Sequence, residues 1–157
     1  MSDPSWTVRS NDGWQEVTVT HLVSFQHEKT TLIRARVVLR GRFWDRRKSL
    51  GGFDQGIDLA DDFETALSQV ILPRDSLVQL AGKLDSWLQD RREFQLALGE
   101  ALKVILGTKE EIISSVDKPV FSLQYSTTRF QCATDLVVDD TCLEVLKGEL
   151  EAALKGP

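Results

Sequence analysis

Between Thr31 and Phe43 the chain runs Thr-Leu-Ile-Arg-Ala-Arg-Val-Val-Leu-Arg-Gly-Arg-Phe, and this alternation constrains the fold more than any other segment. Side chains of an extended strand point to opposite faces with a period of two. Ile33, Ala35, Val37 and Leu39 therefore share one face, while Arg34, Arg36, Arg40 and Arg42 share the other. One face is core and the other is strongly basic. Trp14 to Thr20 also alternates and is rich in β-branched residues, so the two segments predict a pair of antiparallel strands. The residues before Trp14 are polar and carry Pro4 and Gly13, which predicts a short tail over residues 1–13 and a single domain over residues 14–157.

Two later segments have the periodicity of helices. Leu77, Leu80, Leu84, Trp87 and Leu88 fall on one face of a helix expected from about Asp75 to Gln89, with Arg74-Asp75-Ser76 at its start. Leu143, Leu146, Leu150, Ala153 and Leu154 form the stripe of a second, and Thr141 with Glu144 matches a capping box. Between the helices, Phe94, Leu96 and Leu98 alternate, as do Leu102, Val104 and Leu106, with a turn or bulge at Gly99-Glu100. Glu110 to Val116, Pro119 to Ser126 and Thr128 to Val138 predict further strands. The stretch from Asp45 to Pro73 is expected to hold one more strand or a short helix. Strands joined by short turns, with only two isolated helices, favour an α+β fold: a largely antiparallel β-sheet with both amphipathic helices packed on one face.

With 157 residues, 41% of them hydrophobic and 27% charged, the chain has the size and composition of one ordinary globular domain. The opening Met-Ser-Asp-Pro-Ser-Trp lacks the basic and apolar regions of a secretory signal, and no apolar run reaches bilayer length, so a cytoplasmic protein without membrane association is expected. Cys132 and Cys142 are then read as small apolar side chains and not as a disulfide.

No catalytic constellation is legible. His21 and His27 stand six apart with no carboxylate-rich helix around them, so neither is expected to ligate metal. Gly107-Thr108-Lys109 resembles the end of a phosphate loop, but Leu102 occupies the position where that motif requires glycine. Asp58, Asp61, Asp62 and Glu64 do not follow a calcium-loop order and predict a solvated acidic loop. No cofactor and no enzymatic activity are expected.

Recognition surfaces are what remain. A net charge of −5 opposes nucleic acid at long range. The arginine face, continued by Arg46, Arg47 and Lys48 beside Phe43 and Trp44, is nevertheless a nucleic-acid-binding alternative. The plainer expectation is an exposed sheet face whose arginines pair with the acidic loop or meet a protein. Trp87 is assigned to the core and Trp44, set among charges, to an interface.

The layout of early strands, Gly51-Gly52-Phe53, a Leu-rich helix, more strands and a closing helix beginning Asp139-Asp140-Thr141-Cys142-Leu143-Glu144-Val145-Leu146 resembles the WapI-like immunity proteins over roughly residues 14–154. The resemblance implies a small bacterial protein that neutralises a cognate toxin by stoichiometric binding. It carries over no functional residue by motif, and the Arg-rich strand and the long segment from Asp45 to Pro73 depart from it. Toxins of this sort are often basic, so Asp58, Asp61, Asp62 and Glu64 become candidate partner contacts by charge, with Trp44, Arg40 and Arg42 as the alternative contacts.

Overall fold

The computed structural model describes residues 3–11, 13, 15–40, 44–45, 64–110, 117–127 and 131–155. Its first strands are Ser5–Arg9 (β1), Glu16–His27 (β2), Thr30–Arg40 (β3), Trp44–Asp45 (β4) and Glu64–Pro73 (β5), followed by the helix Arg74–Asp90 (α1). Phe94–Leu98 (β6), Leu102–Glu110 (β7), Asp117–Ser126 (β8) and Gln131–Val137 (β9) precede the helix Asp140–Leu154 (α2). The strands form one sheet of order β1-β2-β3-β5 and a second of order β4-β9-β8-β7-β6. Every pairing is antiparallel. The fold is α+β, with the strands divided between two sheets where a single sheet was the simpler expectation.

The two sheets and both helices share one core. Ile33, Ala35, Val37 and Leu39 are buried, as their alternation requires, together with Leu77, Leu80, Leu84 and Trp87 of α1 and Leu143, Leu146 and Leu150 of α2. The inner face of the second sheet adds Leu98, Leu102, Val104, Leu106, Phe121, Leu123 and Leu136. Helix α2 packs on α1 and β1, and α1 also meets β6, β3 and β5. At the end of α1, Arg91 takes a left-handed φ of 57°, and its N–H closes the helix on the Trp87 carbonyl. Its guanidinium lies 5.5 Å from the Trp87 ring centroid and grips the Asp140 carboxylate in a two-pronged pair, which joins the end of one helix to the start of the other.

Two expectations are corrected. Residues 5–9 are not a tail: they form β1, with Trp6 0% and Val8 2% exposed. Two apolar side chains suffice because each lands on a ready-made partner, Trp6 opposite Val19 and Val8 opposite Val17. The cap of α2 is Asp139 and not Thr141; its carboxylate accepts the Cys142 N–H at 2.8 Å, which draws the acid below its ordinary pKa. The acceptor sits where the chain is still extended, one residue before the helix begins. Of the expected strand over Glu110 to Val116, only Glu110 falls among the described residues.

As the edge strand, β1 has an outward row of backbone donors. Helix α2 covers part of it, since Glu149 Oε1 accepts the Thr7 N–H at 3.2 Å. Inside the sheet, the Trp6 indole N–H donates to His21 Nε2 at 3.0 Å. That bond requires a neutral imidazole, and burial lowers the His21 pKa. Because the unfolded histidine takes up its proton first, this contribution to stability is complete above about pH 6.5 and is lost as pH falls below it toward the folded value. Urea unfolding between pH 7.5 and 5 is expected to show this loss, with a slope of up to about 1.4 kcal/mol per pH unit. His21→Gln, which keeps an acceptor but does not titrate, flattens it; an unchanged slope in that variant rejects the assignment.

Candidate protein-binding face

The arginines of β3 project from the outer face of the first sheet, and their neighbours across the strands decide what each can do. Arg9, Glu16 and Arg40 stand in one cross-strand row. Glu16 accepts from Arg9 Nε at 3.0 Å and from an Arg40 terminal nitrogen at 3.0 Å. Partial burial pushes the Glu16 carboxyl up, but the two guanidinium groups together outweigh it and hold the pKa below its ordinary value. Arg40 is therefore anchored by a strand neighbour. Arg34 and Arg36 are exposed and, among the described residues, meet no carboxylate.

The same face carries an apolar patch produced by a change of register. Val17, Val19, His21, Val23 and Phe25 alternate without a break, so simple periodicity would send all five inward. The pairing of β2 with β3 shifts between His21 and Val23: His21 opposes Ala35, whereas Val23 opposes Arg34 and Phe25 opposes Leu32. Leu22 is the extra residue. The bulge turns Val23 and Phe25 to the face of Arg34, and Ile71 of β5 lies across from Arg34 on its other side. Leu22, Val23, Phe25 and Ile71 are 39%, 44%, 38% and 40% exposed. Grouped exposure of this kind is what a recognition surface presents, whereas isolated exposed apolar residues are commonplace.

The other candidate contacts divide as follows. Asp58, Asp61, Asp62 and Arg42 lie outside the described residues. Trp44 and Glu64 belong by their backbones to β4 and β5, and their side chains likewise lie outside. Glu64 stands opposite Arg40 in register. The patch itself was not anticipated, because a bulge leaves no mark on hydrophobic spacing.

His21 is buried in the first sheet and His27 is exposed near the β2–β3 turn. Cys142 is unpaired. Among the described residues no group of three or more His, Cys, Asp or Glu is placed to hold a metal ion, and no helix is long and apolar enough to cross a membrane. Comparison of the chain with protein-family models, curated proteins and solved structures finds no match.

Proposed function

We propose that this protein acts by binding a protein partner, without catalysis, and that the outer face of the first sheet is its contact surface. In line with its resemblance to immunity proteins, the partner is a cognate toxin that binding neutralises. The observation that carries this reading is the bulge at Leu22, which turns Val23 and Phe25 from the core to solvent on the face that carries Arg34 and Ile71. Covering such side chains contributes about 25 cal/mol per Å² of apolar surface removed from water. Arg34 and Arg36 fix the chemistry of the fit: the partner presents apolar side chains flanked by carboxylates.

Capture of partners by the tagged protein from its native lysate, after nuclease treatment, tests this. A single stoichiometric protein is the expected result. Val23→Lys and Arg34→Glu should each weaken capture by about 30-fold or more, the loss typical of an interface hot spot. Neither should change folding stability by more than about 1 kcal/mol, because both side chains are exposed. Undiminished capture by both variants removes this face from the proposal.

Arg34 and Arg36 also support phosphate binding as a second reading. Two phosphate contacts give a slope of log affinity against log salt near about −2. Nuclease-sensitive recovery with that slope would favour nucleic acid over a toxin.

A further inference from the structure

A cavity of about 430 Å³ lies on the outer face of the second sheet, lined by Glu93, Gln95, Ile105, Gly107, Thr108, Val120 and Ser122 among others. Its construction begins where β6 starts. Phe94, the first residue of β6, pairs opposite Leu106, yet β7 continues past that point to Glu110. The Glu93 side chain supplies the acceptor that the missing strand would have given: Oε2 receives the Thr108 N–H at 2.8 Å and the Thr108 hydroxyl at 3.4 Å. Gly107 makes the placement possible, since a Cβ there would come within 2.7 Å of Glu93 Oε2. The carboxylate is thereby laid across the strand and held.

Three features describe what the cavity fits. The aliphatic surface of Ile105 and Val120 lies within it, and Val120 is buried although it is not part of the shared core. Glu93 has no cationic partner among the described residues, and the described lining includes no Lys or Arg. Ser122, 8% exposed, donates to Asp135 Oδ1 at 2.5 Å on the neighbouring strand, so its hydroxyl proton is already engaged and Glu93 is the one carboxylate of the described lining. A fixed negative charge with no cationic partner among the described residues, beside an aliphatic floor, is complementary to a cation at the end of a methylene chain.

We propose that this cavity binds an alkylammonium or alkylguanidinium group, its methylenes on Ile105 and Val120 and its charge on Glu93. Such a group is carried either by a lysine or arginine side chain of a partner or by a free aliphatic amine. The cavity belongs to the second sheet, so the inference stands apart from the proposed use of the first.

Amide chemical shifts of the full chain, titrated with cadaverine and separately with the peptide Gly-Gly-Lys-Gly-Gly, test it. Saturable shifts centred on Gln95, Gly107, Thr108 and Ser122 are expected, absent with the norleucine analogue of the peptide. Glu93→Gln should raise Kd at least ten-fold, and Gly107→Ala, which displaces the carboxylate, should do likewise. Saturation by the peptide alone assigns the cation to a partner side chain, and saturation by cadaverine to a free amine. No saturable shift with either probe, or equal binding to Glu93→Gln with its spectrum otherwise unchanged, overturns the proposal.

Discussion

Trp6→Ala is expected to destabilise the protein by about 3–5 kcal/mol, the usual cost of deleting a large buried aromatic. Against a total stability of about 5–15 kcal/mol, that places the variant near the edge of folding. Trp6 is fully buried and packs in the row that continues through Val19 and Val37. Its indole also satisfies His21, so the substitution leaves Nε2 without its donor in addition to opening a cavity. Trp6→Phe separates the two effects: most of the packing returns, and the remaining loss of about 1–2 kcal/mol reports the hydrogen bond. Chemical denaturation of the two variants is the measurement. A cost below about 1 kcal/mol for Trp6→Ala would mean that residues 5–9 hang free, as their composition at first indicates.

The second large effect comes from a single methyl group. Gly99 lies in the β6–β7 turn with φ of 85°, and a Cβ built on it would stand 2.6 Å from the Ile71 carbonyl oxygen and 3.2 Å from Pro73 Cδ. The hairpin of the second sheet thus rests on the end of β5 in the first. Gly99→Ala combines a left-handed backbone with a clash against main chain that cannot rotate away, and it is expected to cost about 2–4 kcal/mol. Gly82 and Gly148 sit on helices α1 and α2, where an added methyl would find nothing within 4 Å, so Gly82→Ala and Gly148→Ala should each add about 0.5–1 kcal/mol. The same substitution therefore has opposite signs at the turn and on the helices. Equal effects at all three glycines would refute the close contact between the sheets.

How much of this was legible in the sequence depends on the range of the interaction concerned. The inward row of β3 and the stripes of both helices follow from local periodicity; burial agrees with them, except that Leu88 and Leu154 are only partly buried at the core's margin. The N-terminal strand was missed because Ser-Trp-Thr-Val-Arg is too short to outweigh Pro4 and Gly13; what orders it is the waiting edge of β2. Thr141 resembled a cap because it stands three residues before a glutamate, but the chain is already helical there and Asp139 takes the role. The outward patch was hidden for the opposite reason. Val23 and Phe25 keep perfect alternation with the core, and only the pairing partner reveals the slip at Leu22. Of the candidate contacts, Arg40 was expected to pair with the acidic loop and not with Glu16, which reaches it across 24 positions of sequence.

The bond from Thr7 to Glu149 spans 142 positions. On a ribosome, the first strand is made long before its guarding carboxylate. Until α2 is made, the nascent chain carries an open edge at β1, the strand of Trp6, without the helix that packs on it. A chain stalled before Asp140 is consequently the species most prone to pair with its own kind. Faithful maturation rests on how quickly the closing helix follows, as much as on the stability of the finished fold.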